Sequence, residues 1–287
     1  MLKISGHTRP FAVLGHPIGH TLSPVMHNAA FAELGLDAIY LAFDVKPERL
    51  MTVLPAMRSM GFGGVNLTIP HKEVAFRGLD KLDESARLLG AVNTVQFAED
   101  GLVGHNTDGF GFVRALQEAF GTGVKGDRVF VLGSGGAGRA VALMAAREGA
   151  QQVTLADLDQ VRCDKVAAEI RSLFPAVTVA VATDPRAQMD AVRVADLVVQ
   201  ATPVGMKMED RSLLGPEAFH SGQRAFDLIY HNAETVFMKA AVQGGAQASN
   251  GLGMLLHQGA RALHIWTGIE PPVAVMRRAL ELVVYGR

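Results

Sequence analysis

The run Val129-Phe130-Val131-Leu132-Gly133-Ser134-Gly135-Gly136-Ala137-Gly138-Arg139 joins an apolar strand to Gly-x-Gly-x-x-Gly. Glycines at that spacing allow a tight turn and a close backbone approach, and the Ala-rich stretch 139–148 has helical spacing. Unpaired N–H groups and the dipole at the start of such a helix favour an anion, so the loop suits a pyrophosphate. A second apolar strand, 152–156, runs into Asp157, about 20 residues beyond the last glycine, where dinucleotide folds place an acid on a ribose hydroxyl. The glycines alone would also fit an ordinary turn. With strand, helix, second strand and acid in order, Gly133, Ser134, Gly135, Gly136, Ala137, Gly138, Arg139 and Asp157 predict a dinucleotide site. Asp157 would accept hydrogen bonds from a free 2′-hydroxyl and repel a 2′-phosphate, and Asp157-Leu158-Asp159 is followed by no base until Arg162. NAD is therefore expected in preference to NADP, while Asp159 reads equally well as a helix N-cap.

A second set of polar residues lies outside this unit. In His16-Pro17-Ile18-Gly19-His20-Thr21-Leu22-Ser23-Pro24, the Ser-Pro pair signals a helix start with Ser23 as N-cap. Thr21 falls on the same side of an extended segment, and two hydroxyls beside a helix N-terminus would also seat a carboxylate. Asn66-Leu67-Thr68-Ile69-Pro70-His71-Lys72 ends a strand whose alternation puts Asn66 and Thr68 on one face. Lys72 by itself reads as a solvated surface group; at a strand end in a cleft it could instead donate a proton. Ala91-Val92-Asn93-Thr94 and Asn106-Thr107-Asp108-Gly109 bring further amides and a carboxylate, the latter in a stretch that reads most simply as a turn. The histidines show no zincin-like pairing with Glu, so no metal is expected.

The elements that must position these groups alternate. Strands are expected at 11–15, 38–44, 64–69 and 91–97, with helices from Pro24, over 47–60 and from His71. Further strands are expected at 128–132, 152–156, 177–181, 196–200 and 225–229, and helices at 252–267 and 272–284. This is an α/β pattern. Its organisation is expected to be a substrate-binding domain over 1–108, completed by the helices of 251–287, and a Rossmann-type dinucleotide-binding domain over 109–250, with a cleft between them. The 287 residues suffice for two such cores. A net charge of −1 without a basic or acidic block argues against nucleic acid or a membrane surface as partner. The single cysteine, Cys163, allows no internal disulfide and fits a reducing cytoplasm. Residues 1–10 lack the apolar core of a signal peptide, and no apolar run approaches about 20 residues. The oligomeric state stays open, a homodimer included.

Taken together, these residues resemble the shikimate dehydrogenase family. The resemblance rests on Gly15-x-Pro17-Ile18-x-His20-Thr21-Leu22-Ser23-Pro24, on Asn66 to Lys72, on Gly90-Ala91-Val92-Asn93-Thr94 and on Asn106-Thr107-Asp108-Gly109. Ala201-Thr202-Pro203-x-Gly205-Met206 and Asn250-Gly251-Leu252-Gly253-Met254-Leu255-x-x-Gln258-Gly259-Ala260 complete it, in family order over nearly the whole chain. It implies reversible reduction of 3-dehydroshikimate to shikimate, or of the corresponding quinate pair, by a nicotinamide cofactor. Lys72 would then be the proton donor and acceptor, with Asp108 as its partner. Thr21, Ser23 and Tyr230 would hold the carboxylate of a small cyclohexene or cyclohexane acid, and Thr68, Asn93 and Gln258 its ring hydroxyls. The cofactor would lie along 133–139, Asp157, Asp159 and Thr202, with Met206, Gly253 and Met254 near the nicotinamide.

Three departures bear on the expectation. Thr21-Leu22-Ser23 stands where biosynthetic members commonly carry Ser-x-Ser, and Asp157-Leu158-Asp159 where many NADP-linked members carry Asn-Arg-Thr. Tyr230-His231-Asn232 replaces the usual Tyr-Asn-Pro. They point to an NAD-using, specialised or catabolic branch; an ordinary biosynthetic NADP-linked enzyme and a nucleotide-binding sensor without catalysis are the alternatives.

Overall fold

The computed structural model describes residues 4–207 and 209–286. The chain divides into two compact units, Met1–Gly111 with Leu256–Arg287, and Phe112–Leu255.

In the first unit, β1 (Arg9–Gly15) is buried from Phe11 through Gly15, as its continuous apolar run demands of a strand covered on both faces. It lies between β2 (Ala38–Asp44) and β3 (Gly64–Leu67), parallel to both. β5 (Thr94–Ala98) and β6 (Gly101–His105) follow antiparallel, and β4 (Lys81–Leu82) pairs parallel with β6, giving the order β2-β1-β3-β5-β6-β4. The intervening helices are α1 (Ser23–Glu33), α2 (Leu50–Ser59), α3 (His71–Gly78) and α4 (Glu84–Leu89). Leu14, Leu50, Leu54, Val65, Leu67 and Val95 form part of one apolar core. Helix α5 (Asp108–Phe120) starts here, and α10 (Leu252–Thr267) and α11 (Val273–Tyr285) close the unit. Trp266 of α10 donates its indole N–H to Val95 O at 3.1 Å, and Gln96 donates to Ile265 O at 3.1 Å, which fixes α10 on the sheet.

The second unit is a fully parallel sheet in the order β12-β11-β10-β7-β8-β9. Its strands are β7 (Arg128–Leu132), β8 (Gln152–Ala156), β9 (Thr178–Val181), β10 (Leu197–Gln200), β11 (Arg224–Asp227) and β12 (Gln247–Ser249). Helices α6 (Gly136–Arg147), α7 (Gln160–Leu173), α8 (Pro185–Val194) and α9 (Val236–Gln243) cross between them. From β7 the chain winds outward to β9, then returns to β10 on the other side of β7. Ligands of such sheets bind outside the carboxyl ends of the strands at this reversal, here between β7 and β10.

Several local expectations are corrected. Ser23 is not the N-cap of α1; Leu22 is, without a side-chain cap, and Ser23 is the first helical residue with Pro24 behind it. The strand expected at 91–97 begins only at Thr94, and that expected at 64–69 ends at Leu67, leaving Ile69 exposed at 76%. The stretch around Asp108, read as a turn, opens a 13-residue helix. Its buried Phe112, Ala115 and Leu116 have i, i+3, i+4 spacing and outweigh the turn chemistry before them.

His27 on α1 is fully buried, stacks on Tyr40 with ring centroids 4.3 Å apart, and finds no hydrogen-bond partner for either ring nitrogen. Burial pushes its pKa down to about 3, and burial also lowers His71 and His105. The unfolded chain therefore binds a proton that native His27 refuses. Stability is complete above the ordinary histidine range near 6.5 and falls with pH until about 3. His27→Phe keeps the stack and removes the polar cost. It is expected to flatten the acid limb by up to about 1.4 kcal/mol per pH unit, read as melting temperature between neutral and mildly acidic pH. An unchanged slope would show that His27 is not its source.

Candidate active site

Three segments that end strands or open helices converge in the first unit. β3 delivers Thr68, whose N–H donates to Leu14 O at 2.9 Å, while His16 N donates to Ile69 O at 3.1 Å. The 16–22 loop and the end of β3 are thereby held together. A tight turn follows, His71 N donating to Thr68 O at 2.8 Å, so Lys72 sits in the first turn of α3. Lys72 O in turn accepts from Val92 N at 2.9 Å, tying α3 to the segment that carries Asn93.

Lys72 Nζ donates to Asp108 Oδ2 at 2.7 Å, with side-chain exposures of 30% and 16%. The other carboxylate oxygen, Oδ1, accepts from Asn93 Nδ2 at 2.8 Å. Asp108 is set at the head of α5 by Asn106, whose Oδ1 accepts from Asp108 N at 2.9 Å and whose Nδ2 donates to Ala91 O at 2.9 Å. Gln258 Oε1 stands 3.4 Å from Asn93 Nδ2. The structure thus brings Lys72, Asp108, Asn93 and Gln258 into one half-buried cluster: a cation oriented by a carboxylate, flanked by neutral amides. Such a set can stabilise negative charge developing on an oxygen and pass it a proton, while the amides recognise hydroxyls. Thr21 Oγ1 accepts from Ser23 N at 3.3 Å, so the two hydroxyl residues do share one turn.

In the second unit, Gly133 follows β7 with φ +99°, and a Cβ there would lie 2.9 Å from the Ala201 carbonyl. A Cβ on Gly138 would lie 1.8 Å from Gly133 O. Gly136 and Ala137 are exposed, and Gly135 is the N-cap of α6, with no side-chain cap. Its first-turn N–H groups therefore suit an anionic pyrophosphate, at the reversal point of the sheet. Thr202, just past β10, reaches within 3.0 Å of that same Gly133 Cβ position.

Asp157 lies at the end of β8. Its Oδ2 accepts from Ser134 N at 2.6 Å and its Oδ1 from Asp159 N at 2.9 Å. Burial works against the charge, but the Asp159 and Ser134 amides and the Arg162 guanidinium hold the carboxyl below the usual range. Asp159 is the N-cap of α7, accepting from Arg162 N at 3.2 Å. The Arg162 guanidinium lies 3.7 Å from Asp157 and 3.4 Å from Asp159. The Arg139 side chain turns to Glu169 on α7, with Nε donating at 2.8 Å. Met206 is exposed on the loop after β10, Gly253 and Met254 lie in the first turn of α10, and Tyr230 lies on the loop after β11.

Sequence reasoning missed the groups that hold that loop. Asp227, fully buried at the end of β11, accepts from Thr235 Oγ1 at 2.6 Å and from Ile229 N at 3.0 Å. Burial pushes Asp227 up to about 6. Asn250 Nδ2 donates to Asn232 O at 3.0 Å, and burial raises the Tyr230 phenol. Nothing local marked Asp227 or Thr235, because an Asp and a Thr eight positions apart show no period.

Two family models match the chain, the shikimate dehydrogenase substrate binding domain over residues 13–95 and the shikimate 5′-dehydrogenase C-terminal domain over residues 251–281. The shikimate dehydrogenase (NADP(+)) of Methanopyrus kandleri is 42% identical over 281 residues, 97% of each chain. The shikimate 5-dehydrogenase of Listeria monocytogenes, solved in complex with shikimate and NAD, has a TM-score of 0.90 at 36% identity, covering 98% of this chain and 99% of that one. The quinate dehydrogenase of Corynebacterium glutamicum, solved in complex with NAD, has a TM-score of 0.87 at 33% identity, covering 95% and 98%. Fold, site and relatives define an oxidoreductase that uses a nicotinamide dinucleotide. The chain belongs to the shikimate dehydrogenase family.

Proposed function

We propose that this protein catalyses the reversible oxidation of shikimate to 3-dehydroshikimate, with NAD as the preferred acceptor and quinate as a further substrate. The observation that carries the reading is the Lys72–Asp108 pair at 2.7 Å, with Asn93 on the free carboxylate oxygen. The nicotinamide supplies or receives the hydride. In the reducing direction negative charge grows on the carbonyl oxygen, and Lys72 Nζ, aimed by Asp108, neutralises it by giving up a proton. In the oxidising direction Lys72 takes the hydroxyl proton back. Thr21, Ser23 and Tyr230 hold the carboxylate and Thr68, Asn93 and Gln258 the ring hydroxyls, so an analogue lacking a hydroxyl would leave buried polar groups unpaired.

The NAD preference is supported by the Asp157 carboxylate, pinned by two backbone amides where a 2′-phosphate would approach. NADP is the second reading: Arg162 lies close enough to turn to a 2′-phosphate, and relatives are named NADP(+)-dependent. The test is kcat/KM for shikimate and quinate with each cofactor, followed by the absorbance of the reduced nicotinamide. Asp157→Ser is expected to lower kcat/KM with NAD by about tenfold, and Arg162→Ala to leave the NAD reaction intact. A native preference for NADP that collapses in Arg162→Ala would establish the second reading instead.

A further inference from the structure

Tyr40 lies on β2, the edge strand, yet its side chain is fully buried and three constraints meet on it. Asn28 of α1 brackets its backbone: Asn28 Nδ2 donates to Tyr40 O at 2.9 Å, and Tyr40 N donates to Asn28 Oδ1 at 2.8 Å. His27 stacks on its ring. Its hydroxyl, reaching across β1, bonds Asn66 Oδ1 at 2.6 Å.

The direction of that bond follows from donor and acceptor types. Asn66 Nδ2 faces Asn93 O at 3.1 Å, and a carbonyl only accepts, so Oδ1 must face Tyr40 and the phenol must donate. Asn66 Nδ2 also donates to Thr94 Oγ1 at 3.0 Å, and the Thr94 hydroxyl donates to Asn93 Oδ1 at 3.0 Å, nearer than its 3.4 Å contact with Thr107 Oγ1. Asn93 Oδ1 accepts from Thr107 N at 2.8 Å as well, which turns Nδ2 toward Asp108 Oδ1 at 2.8 Å. Lys72 holds the other oxygen. Every bond in the run has one allowed polarity, with Tyr40 at its head and Asp108 at its tail.

We propose that Tyr40 is a positioning residue for the reaction: its buried hydroxyl satisfies Asn66 Oδ1 and so steadies, through Asn66 and Thr94, the Asn93 amide that holds Asp108 with Oδ2 presented to Lys72. This rests on Lys72 and Asp108 as the reacting pair. A purely structural Tyr40 would affect folding, and one acting through the neighbouring Ser23 side chain would raise the KM of shikimate rather than lower kcat, so the roles separate experimentally.

Tyr40→Phe keeps the ring and its stack but leaves Asn66 Oδ1 buried without a donor. It is expected to lower kcat for shikimate oxidation by about tenfold, with little change in the KM of the dinucleotide. Thr94→Val cuts the same run in its middle and is expected to do likewise, which covers the case in which Tyr40→Phe folds poorly. In an Asn93→Ala background the run is already cut, so Tyr40→Phe is expected to cost nothing further in kcat; an effect exerted through stability would recur in both backgrounds. A lowered melting temperature with unchanged kcat, or the same fold-loss in both backgrounds, overturns the proposal. Asp108→Asn, assayed alongside, separates the two levels. Normal turnover there removes the reacting pair and the inference with it, whereas a dead Asp108→Asn with a fully active Tyr40→Phe removes the inference alone.

Discussion

Replacing Lys72 by Ala is expected to lower kcat with shikimate by roughly 10²–10⁴-fold while the dinucleotide still binds. That range is what a positioned proton donor supplies. The Lys72 side chain is held by Asp108 in the first unit, and the glycine loop lies in the second, so loss of the ammonium leaves the residues of that loop untouched. Asp108→Asn is expected to be nearly as severe, although it conserves shape. Oδ1 now accepts from Asn93 and Oδ2 from Lys72, and both neighbours are donors. An amide at this position must turn its own N–H₂ toward one of them, so one contact becomes donor against donor. The measurement is steady-state kinetics paired with a fluorescence titration of reduced dinucleotide. Near-normal kcat in Lys72→Ala would remove Lys72 from the chemistry, and lost nucleotide binding would mean that the substitution acts on the fold.

The second large effect is expected at Gly138. An alanine Cβ there would lie 1.8 Å from Gly133 O, a contact with backbone that no side-chain rotation relieves. Either α6 or the Gly133 turn must retreat, and the latter already closes on Ala201. A hydrogen bond to a charged group is worth about 1.5–3 kcal/mol, so displacing the loop amides is expected to weaken dinucleotide binding in Gly138→Ala by about 10- to 100-fold and to lower the melting temperature. Gly123→Ala is the control, since nothing lies within 4 Å of its Cβ position. Equal affinities for the two variants would show that the loop tolerates the methyl group and that the close approach at Gly138 has no role in binding.

The strands and glycine loop of the second unit were the most legible part of the chain. Their signals are local: a strand of period two, glycines whose missing side chains permit a turn, and an acid one strand later. Each follows from sterics over a few residues, and Gly133, Gly138 and Asp157 stand where that logic puts them. Helix boundaries were less legible, because turn chemistry and helix-start chemistry use the same residues. Asn106 caps the Asp108 amide as it would in an isolated turn, and only the burial of Phe112 and Leu116 carries the chain on into α5. Ser23-Pro24 failed in the opposite sense, since the helix takes the serine itself as its first residue.

By itself, the sequence determined which kinds of group stand at the ends of which strands, and so the class of chemistry available. Strand alternation and glycine sterics act within a turn or two of chain and need no partner from elsewhere. Only the tertiary structure decided which groups meet. Lys72 reaches Asp108 across 36 residues and Asn93 approaches Gln258 across 165, through a sheet in which β3 stands between β1 and β5. The polar run from Tyr40 to Asp108 depends on the same order. Its members satisfy one another because burial denies them water, and burial is a property of the packed sheet and helices that no local window of sequence contains.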